Sequence, residues 1–251
     1  MLTSQRKRHI LNVLSREGQV VAKALSAKLD LSLDTIRRDL RELASEGLLL
    51  RVHGGALPAS PAVVNFAGRE RLAPDAKRAI GRAAALLVQR DQVVILDGGT
   101  TTLQLVRHLP ADLRFTVVTH SPTIAVALVD CAQVEVVLIG GRLFKHSVVA
   151  VGAAAMDSIR GIRADVYFMG VTGVHPEVGL TTGDYEEAMI KRAFCKAAAD
   201  TVVLASSDKL GAASPYVIAP ITEASSIITD RGVTDAVVSS YATRGVSVSR
   251  L

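Results

Sequence analysis

The feature that most constrains the fold is the alternation of strand-like and helical runs from Asp75 to the end of the chain. Short runs rich in Val, Ile and Leu are typical of strands, and they occupy residues 92–97, 115–119, 134–141, 164–170, 201–206, 225–230 and 245–249. Segments with helical periodicity lie among them, at residues 75–90, 122–130, 184–199 and 233–242. Continuous apolar strands separated by helices indicate a mainly parallel sheet covered on both faces. The sequence therefore predicts an α/β fold for residues 75–251.

The first sixty residues follow a different pattern, with three short amphipathic segments and a hairpin-like run. The spacing predicts helices over about residues 4–16 and 22–29, and a third helix capped by Ser32 and ended by Gly47. The following residues predict a small hairpin, with a strand at 48–52, a Gly-Gly turn and a second strand at 56–57. Two helices joined by a tight turn, followed by such a hairpin, indicate a winged helix-turn-helix.

Basic residues are concentrated in this small segment. Residues 1–57 hold ten Lys or Arg against six acids, a charge of +4, whereas the whole chain carries +5. Arginine can form hydrogen bonds with guanine edges or bind phosphate. The arginines on the third predicted helix therefore predict a duplex DNA partner. The candidate DNA-binding residues are Ser32, Thr35, Arg37, Arg38, Arg41, Arg51 and His53. The alternative is a helix whose arginines only solvate its surface, and Asp39, beside the apolar stripe, is interpreted as a structural partner for an arginine or a backbone group.

Polar and glycine-rich residues follow several predicted strands. In open parallel sheets, small ligands bind at the carboxyl ends of the strands. A Gly-Gly-Thr-Thr turn entering a helix can offer backbone N–H groups to a phosphate, Lys209 can add a charge, and Asp97 can accept hydrogen bonds from sugar hydroxyls. The alternative is that each glycine pair only permits a tight turn. Glu187 and Lys191 are four residues apart, and their spacing predicts an ordinary ion pair on a helix.

Other classes of protein are disfavoured. The glycines match neither a Walker loop nor a dinucleotide-binding fingerprint. The two cysteines and six histidines show no metal-ligand spacing, so neither a metal nor a cofactor is expected. No apolar run reaches the roughly 18 residues of a membrane span, and the N-terminus lacks a secretory signal pattern. We expect a cytoplasmic protein with no membrane partner.

A resemblance to a known family covers the chain to its end. The stretch TIRRDLRELASEGLLLRVHGGA resembles the signature of the DeoR family of bacterial sugar-metabolism regulators, and Arg69-Glu70-Arg71 with Lys77 resembles that family's connector. The resemblance implies that Thr35, Arg37 and Arg38 belong to the recognition helix of an operator-binding module. It also implies a C-terminal domain similar to sugar-phosphate isomerases of the ribose 5-phosphate isomerase type, used as an effector sensor.

The same resemblance implies a cleft for a phosphorylated sugar. The residues implied to bind this effector are Asp97, Gly98, Gly99, Thr100, Thr101, Thr119, Ser121, Gly140, Gly141, Glu187 and Lys209. Two positions depart from the family pattern. His120 stands where asparagine is usual, and Ser206 stands where aspartate is common, with an acid instead at Asp208.

Together these observations predict three regions: a winged helix-turn-helix at residues 1–57, a linker at 58–74 with an anchoring segment around 63–66, and a sensor domain at 75–251. The leading hypothesis is a transcriptional regulator without enzymatic activity, most simply a repressor of a carbohydrate-catabolism operon, acting as a homo-oligomer (dimer or tetramer) on paired half-sites. One alternative is an enzyme, a sugar-phosphate isomerase or a protein like an acyl-CoA transferase, with an accessory N-terminal domain. The other is a structural DNA binder, which requires no ligand pocket.

Overall fold

The computed structural model describes residues 2–60 and 65–251, and of Ser15 and Arg16 only the backbone. Residues 2–58 form an N-terminal module of three helices and three short strands. Its helices are α1 (Thr3–Glu17), α2 (Ala22–Leu29) and α3 (Leu33–Ser45), and its strands are β1 (Val20–Val21), β2 (Leu49–Val52) and β3 (Gly55–Pro58).

Local signals place the helix ends where the sequence predicts them. The Ser32 side chain accepts a hydrogen bond from the Thr35 N–H at 3.1 Å, which caps α3. Gly18 and Gly47 follow α1 and α3 with φ of 72°, a conformation that glycine adopts without strain. The apolar faces of the three helices meet in a core that includes Ile10, Leu25, Ile36 and Leu40. The three predicted helices are confirmed to within about one residue.

The hairpin differs from the prediction by one position. Strand β2 pairs antiparallel with β3, and β3 pairs antiparallel with β1. The turn lies at His53 and Gly54, whereas Gly55 already belongs to β3. Pairing with β1 requires glycine at this position, because a Cβ atom on Gly55 would lie 1.8 Å from the Val20 carbonyl oxygen. Gly55 therefore allows β3 to approach β1, and the hairpin forms a wing (β2–β3) beside α3.

Part of the predicted linker is helical. Residues 63 and 64 of the predicted anchoring segment lie outside the described residues, and from Phe66 the chain forms helix α4 (Phe66–Glu70). The Phe66 N–H donates to the His146 carbonyl at 3.0 Å, which ties α4 to the C-terminal domain (residues 65–251). The ammonium group of Lys77, on the next helix, donates hydrogen bonds to the carbonyls of Arg69 and Leu72. It therefore caps the C-terminal end of α4.

A seven-stranded parallel sheet forms the centre of the C-terminal domain. Its strands are β4 (Val93–Leu96), β5 (Phe115–Thr119), β6 (Val134–Leu138), β9 (Ala164–Gly170), β12 (Ala198–Leu204), β14 (Ser226–Thr229) and β15 (Ser247–Arg250). The order across the sheet is β15-β14-β12-β9-β4-β5-β6, and every pair is parallel. The predicted α/β class is confirmed. The strand order reverses between β9 and β4, which is where such sheets leave a crevice for a ligand.

Helices cover both faces of this sheet, and each face has its own apolar core. The helices are α5 (Pro74–Ala85), α6 (Thr100–Arg107), α7 (Pro122–Ala127), α8 (Ala153–Arg160), α9 (Tyr185–Ala197) and α10 (Asp235–Ala242). The helices predicted at residues 75–90, 122–130 and 184–199 are shorter in the structure, and α7 ends at Ala127. Helix α5 ends at Ala85, and α9 gives way directly to β12, whose first residues pair with β9.

Two small antiparallel sheets were not predicted from the sequence. One consists of β7 (Arg142–Phe144) and β8 (Val149–Val151). The other consists of β10 (Gly173–His175), β11 (Gly179–Thr182) and β13 (Tyr216–Ala219). Both lie beyond the carboxyl ends of the parallel strands in the chain path, and their loops supply walls of the pockets described below.

Within the described ranges, no helix has the length and apolar character required to cross a bilayer. In the same residues, no group of three or more His, Cys, Asp or Glu side chains is arranged to hold a metal ion.

Candidate functional site

The outer face of α3 carries the predicted recognition residues. Arg37, Arg38 and Arg41 are exposed, Thr35 is half-buried, and the Ser32 and Thr35 hydroxyl oxygens lie 2.9 Å apart. Ser32 therefore caps the N-terminus of α3 and is also exposed at its surface. Arg37 lies 3.6 Å from Asp34, one turn away. Among the described carboxylates, none lies within 4.0 Å of Arg38 or Arg41, so these guanidinium groups are available to an external anion.

The wing extends the same basic surface. A groove of about 220 Å³ runs between α3 and the wing, and its walls include Arg37, Arg51, Val52 and Gly54. Arg51 and His53 are exposed on the wing. The structure thus brings one helix arginine and one wing arginine to the same groove, while Arg38 and Arg41 are not among its lining residues.

A buried ion pair connects the inner side of α3 to α1. Asp39 is fully buried on the inner side of α3, and Arg6 of α1 is 5% exposed. The guanidinium of Arg6 donates to both carboxylate oxygens of Asp39, with the Nη2–Oδ1 bond at 2.8 Å. The structural role predicted for Asp39 is confirmed, and its partner is an arginine from the first helix.

The second site lies at the crevice between β4 and β9. A small pocket of about 30 Å³, here called the cationic pocket, is walled by the turn from β4 into α6 and by residues of six other segments: α4, the β7–β8 loop, the end of β9, β11, α9 and the segment at Lys209. Its lining residues are Arg69, Gly98, Gly99, Thr100, Thr101, Thr102, Ser147, Gly170, Val171, Thr172, Thr182, Glu187, Lys191 and Lys209. A helix N-terminus surrounded by one guanidinium and two ammonium groups favours an anion.

Two buried polar atoms in this wall have no hydrogen-bond partner among the described residues. They are Nε of Arg69 and Oγ1 of Thr102, and Thr102 is fully buried. Buried polar groups are normally satisfied, because an unsatisfied one costs about 1–3 kcal/mol. Both atoms belong to residues that line the cationic pocket, so a bound ligand with acceptor oxygens can satisfy them.

The charges around the pocket depend on one buried carboxylate. Asp97 is fully buried and accepts hydrogen bonds from the N–H groups of Gly98 and Gly170, both at 2.8 Å, and from the Lys191 ammonium. Its Oδ1 also lies 2.9 Å from Nε2 of His120. Burial alone would raise the pKa of Asp97, but the charge of Lys191 and the contact with His120 outweigh it and lower the pKa to about 2. Asp97 is therefore ionised and fixes the ends of β4 and β9.

The three cations differ in their surroundings. Burial works against the charge of Lys191, but Asp97 and Glu187 raise its pKa above the ordinary value, so it stays cationic. Burial is the main cause that lowers the pKa of Lys209, and the nearby charges of Arg69, Lys77 and Lys191 act in the same direction; against the opposing charge of Asp208, the resulting pKa is about 8. Burial also lowers the pKa of Arg69. An anion in the pocket would relieve this crowding of positive charge.

Glycine is required at the base of the pocket. A Cβ atom on Gly98 would lie 2.2 Å from Cγ1 of Val149, and Gly99 has φ of 137°, a backbone region that other residues rarely adopt. The two glycines therefore let the chain turn sharply from β4 into α6. The turn exposes the N–H groups of the first helical turn, as the Gly-Gly-Thr-Thr pattern predicts.

Comparisons with known proteins bear on both sites. Residues 6–61 match the model of the DeoR-like helix-turn-helix domain, and residues 73–231 match that of the DeoR C-terminal sensor domain. The chain belongs to the DeoR family. It is 37% identical to the transcriptional regulator GlpR of Haloferax volcanii, over 94% of this chain and 92% of that protein. It is 32% identical to the transcriptional repressor GlcR of Bacillus subtilis, over 92% and 90% of the two chains.

The DeoR-family assignment settles the broad function. Family members that match nearly the whole chain are transcriptional regulators, so this chain is a DNA-binding regulator and not an enzyme. Among solved structures, ribose 5-phosphate isomerase A of Methanocaldococcus jannaschii aligns with 54% of this chain and 54% of its own, at 18% identity and a TM-score of 0.40.

Not all residues implied by the DeoR resemblance lie at the cationic pocket. Its walls include Gly98, Gly99, Thr100, Thr101, Glu187 and Lys209. Asp97 lies behind the wall, and its oxygens are occupied by protein donors. Thr119 and Ser121 are also fully buried, the first accepting from the N–H of the second at 3.1 Å. Gly140 and Gly141 lead into β7 and are exposed, away from the pocket.

The two departures from the DeoR pattern have different environments. His120 is fully buried, with Nδ1 2.9 Å from the Ala150 carbonyl oxygen and Nε2 on Asp97, so it supports the carboxylate from behind. Ser206 is 2% exposed, and its Oγ has no partner among the described residues. Ser206 and Asp208 line a neighbouring pocket of about 20 Å³ with Lys77 and Lys209.

Sequence reasoning missed two cations of the pocket. The ion pair predicted between Glu187 and Lys191 is confirmed, with a separation of 3.5 Å. The prediction did not include the second partner of Lys191, because this lysine is 2% exposed and also contacts the buried Asp97 carboxylate. The signal was available, since Glu187, Lys191 and Phe194 share one helical face with apolar neighbours. Arg69 was assigned only to the connector, because nothing in its local sequence shows that α4 lies against the sheet edge.

Proposed function

We propose that this DeoR-family regulator represses a carbohydrate-catabolism operon and that a phosphorylated sugar bound in the C-terminal domain relieves the repression. One observation carries the proposal. The cationic pocket combines a helix N-terminus, Arg69, Lys191 and Lys209 with two partnerless buried polar atoms. Phosphate is the group whose charge and acceptor oxygens match these features. The name of the 32% identical relative GlcR, a transcriptional repressor, supports repression.

The proposal includes a homo-oligomer, dimeric or tetrameric, in the cytoplasm. A single winged module contacts one short half-site, and paired modules on a two-fold axis match paired half-sites. The effector lowers operator affinity only if it binds the DNA-bound and free arrangements unequally, typically by about 1–3 kcal/mol.

A binding titration tests this function. The full chain is titrated onto labelled fragments of its own promoter region and onto random duplex at fixed salt, with and without phosphorylated sugars. We expect selective binding that one phosphorylated sugar weakens by about 5- to 150-fold, in line with the coupling energies above. Equal affinity for all duplexes, or selective binding that no phosphorylated sugar alters, would contradict the proposal.

Replacing Arg38 with alanine tests the recognition helix. If Arg38 contacts a base, the Arg38→Ala variant loses about 1–3 kcal/mol of operator binding, and selectivity relaxes at one base pair. Fluorescence anisotropy with single-base operator variants measures both effects. Arg82→Ala removes the same charge from an exposed position of α5 and serves as the control. An equal loss on all sequences, with a smaller salt dependence, would assign Arg38 to phosphate instead.

Replacing Lys209 with alanine tests the cationic pocket. We expect Lys209→Ala to keep its operator affinity and to lose the response to the effector. Because the pKa of Lys209 is about 8, effector affinity of the wild-type protein falls as the pH rises through 8, whereas the phosphate group stays dianionic there. Calorimetric titrations between pH 7 and 9 measure this step. Lys196→Ala, an exposed lysine on α9, retains both the response and the pH step if the assignment is right.

A further inference from the structure

The cationic pocket is too small for a whole phosphorylated sugar. Its volume of about 30 Å³ is roughly a tenth of the 300 Å³ at the lower end of the usual range for small-molecule sites. A phosphoryl group can enter such a space if the side chains adjust, but a sugar ring must lie outside it. We propose that the sugar lies in a larger cavity between the C-terminal domain and the N-terminal module, where residues of the DNA-binding module contact it directly. This inference rests on the proposed function, since it concerns the rest of the same ligand.

The larger cavity adjoins the cationic pocket. It has a volume of about 460 Å³ and shares four wall residues with the pocket, namely Arg69, Ser147, Thr172 and Glu187. A ligand whose phosphoryl group contacts Arg69 and Lys209 therefore extends past the four shared residues into the larger cavity. The volume falls within the range of about 300–1,000 Å³ that is usual for small-molecule sites.

Two parts of the chain build this cavity. The C-terminal domain contributes Phe144, His146 and Ser214 in addition to the shared residues. The N-terminal module contributes Ala44 at the end of α3, Gly47 after it, and Leu49 and Leu50 of β2. The C-terminal end of α3 and the first residues of the wing therefore meet the cavity.

The two walls differ in chemistry. On the C-terminal side, Arg69, Glu187, Ser147 and Thr172 offer groups that bind sugar hydroxyls. On the side of the N-terminal module, the lining side chains are alkyl groups. A ligand that fits both walls has a polar ring face and a substituent that ends in a methyl group. The effector is therefore a phosphorylated sugar with such a substituent, and an N-acetylated amino sugar phosphate, whose acetyl methyl can contact the alkyl wall, is one example.

The chain connects the two walls beside the cavity. Ala59 forms a parallel bridge with Ala213, and the Ala213 N–H donates to the Pro58 carbonyl at 3.3 Å. A ligand between the walls adds contacts to both units close to this junction. It can therefore favour one arrangement of the DNA-binding module over another, which is the unequal binding that regulation requires.

The test fills the cavity from the side of the DNA-binding module. Leu50→Trp places an indole in the cavity, and Leu48→Trp makes the same change at a position that is 47% exposed and outside the lining. Three probes are titrated calorimetrically into the full-length protein: inorganic phosphate, hexose 1- and 6-phosphates, and N-acetylhexosamine 6-phosphates. Ala44→Leu provides a second, smaller filling variant, and circular dichroism and operator binding check that each variant is folded.

We expect the wild-type protein and Leu48→Trp to bind an N-acetylated sugar phosphate at least tenfold more tightly than inorganic phosphate. Leu50→Trp and Ala44→Leu lose most of that gain, while their affinity for inorganic phosphate changes less than twofold. Sugar phosphates that bind the filled variants as tightly as the wild type would overturn this inference and leave the proposed function standing. A wild-type protein that binds no sugar phosphate in the panel at all would instead overturn the proposed function. Equal affinity for acetylated and plain hexose phosphates would reject the assigned ligand class.

Discussion

Replacing Lys191 with methionine is expected to lower the free energy of unfolding of the C-terminal domain by about 3–5 kcal/mol. The Lys191 ammonium lies against Asp97, and both side chains are at most 3% exposed. Methionine keeps the length of the side chain but leaves the Asp97 carboxylate buried without its main cation, a loss that typically costs this much. Urea denaturation at pH 7, followed by circular dichroism, measures the change. The control is Lys196→Met, which removes an exposed lysine from the same helix.

The pH dependence of the free energy of unfolding tests whether the Asp97 carboxylate causes the loss of stability in Lys191→Met. Since the pKa of Asp97 is lowered from 3.8 to about 2 in the folded protein, its ionised form contributes stability above pH 4 that is lost as the pH falls toward 2. The difference between the wild type and Lys191→Met should therefore narrow over that interval. A Lys191→Met protein as stable as Lys196→Met, or a difference that persists unchanged at pH 2, would contradict the role given to this pair.

The second large effect is expected in the DNA-binding module. Asp39→Asn leaves the guanidinium of Arg6 buried without its carboxylate, at a cost of about 3 kcal/mol. A module of fewer than sixty residues has a small free energy of unfolding, so a loss of this size is a large part of it. We expect the module to unfold well below the temperature at which the C-terminal domain unfolds, and operator binding to be lost at 37 °C while inorganic phosphate still binds at the cationic pocket. Differential scanning calorimetry with operator and phosphate titrations measures these outcomes.

Two further variants separate the buried ion pair from a general effect of charge. Asp34→Asn removes a carboxylate from the same helix where its side chain is 92% exposed, and it should change stability little. The double replacement Arg6→Met with Asp39→Leu removes both charges and should recover most of the lost stability, because an apolar pair can replace a buried ion pair. If Asp39→Asn and Asp34→Asn unfold at the same temperature, the ion pair does not stabilise the module.

The N-terminal module could be predicted from sequence because its signals are local. Ser32 and Gly47 mark the two ends of α3 within a few residues of the helix that they bound, and the apolar stripe of Ile36 and Leu40 lies between them. The place of Asp39 beside that stripe was sufficient to indicate a structural role. Its partner could not be predicted, since Arg6 lies 33 residues away and only the packing of α1 on α3 brings it near.

The cationic pocket could be predicted only in part. The Gly98-Gly99-Thr100 turn has a recognisable local pattern, and its position after a strand places it at the sheet edge. Arg69 and Lys191 come from helices whose positions depend on the tertiary fold. The small sheets, β7–β8 and β10–β11–β13, also escaped prediction, because strands of three or four residues carry too few positions for a period to be recognised.

The connector between the two units has a consequence for how such regulators can be recombined. It contacts the C-terminal domain where Ala59 pairs with Ala213 and again where the Phe66 N–H bonds to the His146 carbonyl, and three residues after Phe66 it supplies Arg69 to the cationic pocket. A chimera that joins this sensor to a foreign operator-binding head should therefore keep the contact at Ala59 and the whole segment from Phe66 to Lys77. A splice between Phe66 and Lys77 would remove Arg69 from the wall of the cationic pocket or break the hydrogen bonds by which Lys77 holds the end of α4.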